Sequence, residues 1–129
     1  MARKAIHCKG LPPAIGAYSQ GVWAGNFLFL SGVCGEDPAT GELVGGGDIS
    51  AETKRAMETA GAMLESEGLT FDNVVSARIY ISDFDDFKAM NEAYKGFFTP
   101  PYPARATVEV GRLADGAKVE IVLVAYKEA

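Results

Sequence analysis

The sequence predicts an α/β (α+β) fold in which a mixed sheet carries two helices on one face. Short runs rich in β-branched and aromatic residues, at 27–30, 74–81 and 119–127, read as strands. Two stretches, opening at Asp48 and Asp83, repeat apolar residues at helical spacing. A strand directly follows the first of these helices, and that order suits a strand–helix–strand crossover. The 129 residues, 48% of them hydrophobic, suit a single domain spanning 1–129 with one core.

Phe27-Leu28-Phe29-Leu30 is entered through Gly25-Asn26 and left through Ser31-Gly32, so it reads as a strand after a hairpin turn, with Tyr18 to Trp23 as its partner. From Ser31 to Gly47 the chain is rich in Gly, Pro, Asp and Thr, which predicts a surface loop. Between Asp48 and Glu67, residues Ile49, Ala56, Met57, Ala60, Met63 and Leu64 lie on one helical face. Asp48 or Ser50 is placed to cap this helix and Gly68 to end it. Val74 to Ile81 follows as a strand beyond the turn Asp72-Asn73.

Asp83 opens a second helix that aligns Phe84, Phe87, Asn91, Tyr94 and Phe98, an aromatic stripe expected in the core. Pro100, Pro101 and Pro103 cannot continue it and deliver an extended chain into Arg105. Two strands close the chain, Ala106 to Val110 and Val119 to Lys127, separated by the loop Gly111 to Lys118. Both faces of the last strand are mostly apolar, so burial on both sides is expected. A sheet with helices on one face only leaves an apolar face that self-association can cover.

Composition excludes several classes of function. A net charge of −5 repels phosphate backbones and anionic membranes, so nucleic acid and membrane are not expected partners. No run of about 18 apolar residues suggests a membrane span. The segment Ile6-His7-Cys8-Lys9 after the basic Arg3-Lys4 is not a secretory signal. The two cysteines, Cys8 and Cys34, are too few for a disulfide framework and lack metal-ligand spacing, so a reducing, cytoplasmic setting and no metal are expected. The single histidine, His7, reads as an ordinary strand residue, and no Ser-His-Asp or Cys-His set can be assembled. Gly45-Gly46-Gly47 precedes a helix, yet the Lys-Ser/Thr of a phosphate loop is missing and Asp48 adds negative charge.

Two positions stand out chemically. Arg105, between a proline-rich turn and a strand, can offer a planar fork to a carboxylate ligand, or it can pair with an acid of its own chain. Glu120 is the only charged residue between Val119 and Tyr126, so it must reach a rim, pair with a cation, or have its ionisation shifted by desolvation. Any of these is compatible with a general base, and so is an edge glutamate facing solvent. Tyr18, Ser31, Asn91 and Thr107 add hydroxyl and amide groups that turns, caps or core bonds could equally explain.

Taken in order, the stretches Ile15-Gly16-Ala17-Tyr18-Ser19-Gln20, Gly25 to Gly32, Thr40-Gly41-Glu42, Asp83 to Phe87, Asn91-Glu92-Ala93-Tyr94 and Phe97-Phe98 resemble the RidA/YjgF family. The most specific match is Pro103-Ala104-Arg105-Ala106-Thr107-Val108-Glu109-Val110, with Val119-Glu120-Ile121 downstream. The resemblance implies a chorismate-mutase-like sheet with two helices on one face, assembled as a homotrimer with a ligand cleft at each subunit interface. It implies a deaminase that hydrolyses 2-imino or enamine acids, such as 2-iminobutanoate and 2-iminopropanoate, to 2-oxo acids and ammonia, with no cofactor. In that pattern Arg105 grips the substrate carboxylate and Glu120 acts on the attacking water, while Tyr18, Ser31, Gly32, Asn91 and Thr107 line the cleft.

The chain departs from the pattern at Val33, where glutamine is common, at Thr107, often cysteine, at Ala114, often proline, and at Thr59-Ala60, often Asn-Leu. These bear on substrate choice. Two other readings compete: a regulatory module that binds small metabolites in the same cleft without turnover, and an RNA-directed translation inhibitor or ribonuclease. The acidic balance and the lack of a basic stripe count against RNA.

Overall fold

The structure is a computed structural model that describes residues 3–128. In chain order the strands are β1 (Lys4–Ala5), β2 (Gly21–Ala24), β3 (Phe27–Leu30), β4 (Val74–Ile81), β5 (Ala104–Glu109) and β6 (Val119–Tyr126). Helix α1 (Ile49–Ser66) lies between β3 and β4, and α2 (Phe87–Lys95) lies between β4 and β5. The six strands form one sheet in the order β1-β2-β3-β6-β4-β5. β6 pairs antiparallel with both β3 and β4, so those two run in the same direction with β6 between them, and α1 makes the crossover. α2 makes the second crossover, into β5, which lies parallel to β4. The mixed sheet with its two crossover helices is the predicted fold.

Local chemistry sets these elements. Asp48 caps α1 by accepting from the Ser50 N–H at 3.3 Å, and Gly68, at φ +76°, turns the chain out of it. The second helix starts later than its pattern suggests. Asp83 caps a 3₁₀ turn over Phe84–Asp86, and only then does the α-helix run from Phe87 to Lys95. β5 begins at Ala104, two residues earlier than read from sequence, and β2 begins only at Gly21, because Tyr18 belongs to a loop beside the sheet. His7 is exposed and lies just outside β1, so it is not a strand histidine.

One face of the sheet packs under the helices. Leu28 and Leu30 of β3, Ala77, Ile79 and Ile81 of β4, and Val119, Ile121, Leu123 and Ala125 of β6 are all buried there. Met57 and Leu64 of α1 and Met90 of α2 meet them, each fully buried. At about 1.5–3 kcal/mol per large side chain, this layer is the main source of stability. The opposite face stays open: Phe27 and Phe29 are 42% and 46% exposed, and Val122, Val124 and Tyr126 only half-buried. Within one chain, then, the last strand is covered on one side, contrary to the expectation of burial on both. Among the described residues, no helix is long and apolar enough to cross a membrane, and no group of three or more His, Cys, Asp or Glu is placed to hold a metal ion.

Candidate active site

Glu120 sits opposite Tyr80 in the β4–β6 ladder, one residue out of step with the buried pair Ile79 and Ile121. Strand alternation therefore turns it away from the helices. Its carboxylate enters a groove of about 540 Å³ where β3 continues past Leu30 into the loop, and Tyr18, Ser31, Gly32 and Cys34 share the lining. Gly32 is needed for this placement, because a Cβ there would lie 2.7 Å from Glu120 Oε2. Ser31 Oγ donates to the Ser19 carbonyl at 2.5 Å, which ties β3 to the Tyr18 loop and leaves the hydroxyl to act as an acceptor. Tyr18 is 56% exposed, its ring free beside the groove.

Arg105 lies on the other face. It pairs with Ala77 and Thr107 pairs with Ile79, so both side chains leave β5 on the helix side. Arg105 Nη1 donates to Asn91 Oδ1 at 2.6 Å, and the guanidinium carbon lies 5.5 Å from the Phe87 ring centre and 5.1 Å from that of Tyr94. Two aromatic faces and an amide thus orient the fork. The aromatic stripe of α2 is only partly core, since Tyr94 is buried while Phe84 is 48% exposed. Among the described residues, no carboxylate comes within ion-pair distance of Arg105; the two ion pairs are Arg55–Glu58 and Lys95–Glu92. Among the described residues, the Tyr94 and Thr107 hydroxyls are buried without a hydrogen-bond partner. Burial pushes the Tyr94 phenol up against the opposing effect of the Arg105 charge, which keeps it a neutral donor.

The seven residues singled out in sequence therefore fall into two groups. Tyr18, Ser31, Gly32 and Glu120 share the groove, while Asn91, Arg105 and Thr107 gather at the β5 edge under α2. Strand spacings put the Cα atoms of Glu120 and Arg105 about 10 Å apart across the sheet and about 10 Å apart along it, with side chains on opposite faces. No small acid can touch both within one chain.

Two residues that bear on Glu120 escaped sequence reasoning, one lining the groove and one buried beneath it. Cys34 places its Sγ 3.9 Å from Glu120 Oε1; burial first, then the nearby Glu120, Glu36 and Glu52 charges, push its thiol up to about 12. A lone cysteine in a polar loop carries no signal of this. Glu52 is 1% exposed, and its Oε1 accepts from the Lys118 N–H at 2.9 Å, two residues ahead of Glu120. Here a signal existed: Glu52-Thr53 falls on the apolar stripe between Ile49 and Ala56, and a carboxylate there needs a partner.

The family model described as Endoribonuclease L-PSP matches residues 9–127. The chain belongs to the RidA/YjgF family. A RutC family protein of Pyrococcus abyssi is 43% identical over 99% of this chain and 100% of its own. The 2-iminobutanoate/2-iminopropanoate deaminase of Homo sapiens is 39% identical over 98% of this chain and 92% of its own. Among solved structures, E. coli TdcF with bound serine superposes with a TM-score of 0.90 at 34% identity, covering 97% of this chain and 99% of that one. Relatives in the RidA/YjgF family thus carry several names, deaminase, RutC and putative endoribonuclease among them, and the last, from Thermotoga maritima, superposes with a TM-score of 0.90 at 40% identity, covering all of both chains.

Proposed function

We propose that this RidA/YjgF protein is a cytoplasmic homotrimer that hydrolyses 2-imino or enamine acids, 2-iminobutanoate and 2-iminopropanoate among them, to 2-oxo acids and ammonia. Its sites lie between subunits, with Arg105, Asn91 and Thr107 from one copy facing Tyr18, Ser31, Gly32 and Glu120 from the next. The observation that carries this reading is the Arg105 fork, oriented by Asn91 and two aromatic rings yet left without a carboxylate among the described residues, and so able to take one from a ligand. That Arg105 and Glu120 occupy opposite faces supports a site completed by a second copy, and the open apolar face gives that copy a surface to cover. The deaminase name of the human relative points the same way.

The chemistry follows from these groups without a cofactor. Arg105 fixes the substrate carboxylate, and Glu120 takes a proton from a water that adds to the C=N carbon. Glu120 passes that proton to the nitrogen, giving the carbinolamine; it then takes the carbinolamine O–H proton and hands it to the nitrogen as the C–N bond breaks, the C=O forms, and ammonia leaves the 2-oxo acid. Ser31 Oγ, its proton already committed to Ser19, can accept from the imine N–H. An RNA-cleaving reading fits less well, because Glu36, Asp37, Asp115 and Glu120 make the groove acidic. The test is to generate 2-aminocrotonate or 2-aminoacrylate enzymatically in the presence of an amine trap. The protein is expected to suppress the trapped product and speed 2-oxo acid release; an unchanged yield of trapped product would leave a binding role only.

A further inference from the structure

Cys34 is held more firmly than a loop residue needs to be. On one side Val33 exchanges two backbone hydrogen bonds with Ile121, both at 2.9 Å, which extends the β3–β6 ladder by one bridge. On the other, Gly35 lies against α1 so closely that a Cβ would sit 2.5 Å from the Glu52 Cα and 2.6 Å from its carbonyl oxygen. Glu52 in turn anchors the entry to β6 through the Lys118 N–H. The thiol between these anchors is directed at Glu120 Oε1, 3.9 Å away, while the other carboxylate oxygen rests over Gly32.

We infer that Cys34 is a positioning residue, whose thiol donates to Glu120 and holds the carboxylate in the orientation required of the base. This rests on the reading of Glu120 as the general base proposed above. A thiol in this setting is suited to the task because burial and the surrounding carboxylates keep it protonated, so that it has a proton to donate to the carboxylate. It also follows that Cys34 is a poor nucleophile although it lines the groove.

The test pairs kinetics with a measurement that needs no substrate. Cys34→Ala removes the donor, so kcat/KM for imine hydrolysis is expected to fall about 3- to 10-fold, as for loss of one weak hydrogen bond. Cys34→Ser keeps a donor and is expected to restore the rate, with thermal unfolding of the two variants alike. A wild-type rate in Cys34→Ala, or a serine variant no better than alanine, would overturn the assignment. Separately, iodoacetamide labelling of Cys34 between pH 8 and 10, read by peptide mass, should run several-fold faster in Glu120→Gln than in wild type, because removing the neighbouring charge eases thiolate formation. Equal labelling rates would overturn the contact itself. Should the wild-type chain hydrolyse no imine, the deaminase reading falls, and the labelling comparison alone decides the Cys34–Glu120 pairing.

Discussion

Removing Arg105 and removing Glu120 take different things away, and the difference separates an enzyme from a binding module. Arg105→Ala deletes the proposed carboxylate anchor and should cost about 2–5 kcal/mol of ligand binding, as for one partner of a desolvated charge pair. Arg105→Lys should recover only part of it, because an ammonium cannot reproduce the planar fork that Asn91 and the Phe87 and Tyr94 rings orient. Unchanged 2-oxobutanoate titration in Arg105→Ala would remove the anchor from the mechanism. Glu120→Gln keeps size and one acceptor but cannot take a proton, so turnover should fall roughly 100- to 10,000-fold while 2-oxobutanoate still binds. An equally active but less stable Glu120→Gln would mark the residue as structural. Both residues were legible in sequence, one as a cation after prolines and the other as the lone charge in an apolar strand. Their neighbours were less so: nothing local to Cys34 predicts that β3, running past Gly32, brings it to Glu120.

At the scale of elements, the sequence pattern located every long strand and both helices but blurred their ends. The blur has physical causes. Asp83 is a genuine cap, yet it caps a 3₁₀ turn, which shares its side-chain signature with an α-helix start. The Tyr18 end of the predicted first strand departs because Gln20 is drawn into side-chain bonds: its Oε1 accepts from the Cys8 N–H at 2.6 Å, and its Nε2 donates to the Pro12 carbonyl at 2.9 Å. Those contacts curl residues 8–20 beside the sheet and bring Tyr18 to the groove. The junction of loop and α1 is where the site is most sensitive to packing. Gly35→Ala would force a methyl group against the α1 backbone, so we expect about 1–3 kcal/mol of destabilisation by urea unfolding. We also expect lower turnover, since any shift of Glu52 is transmitted through Lys118 to Glu120. A fully stable Gly35→Ala would mean that the loop yields freely there and does not hold the site.

The whole molecule poses a question that a single chain's sequence pattern could raise but not answer, namely which surfaces meet. Alternation along β6 marks two apolar faces, and helices cover only one, so an uncovered apolar face was legible; the separation of Arg105 from Glu120 was not. That separation emerges only when the sheet order sets β5 two strands from β6 and the register turns the two side chains to opposite faces. If the sites form between copies around a closed ring, each site takes its arginine from one chain and its glutamate from another. Arg105→Ala and Glu120→Gln are then complementary defects. Unfolded together and refolded as a mixture, the two variants should regain activity, since some interfaces will join an intact Arg105 to an intact Glu120. With equal amounts and random assembly, half the chains supply each group, so about a quarter of the interfaces are fully intact and about a quarter of wild-type turnover should return. Either variant refolded alone should stay inactive. A site contained within one chain predicts no recovery at any mixing ratio, and light scattering on the same mixture, reading a trimer mass or a monomer mass, separates failed complementation from failed assembly.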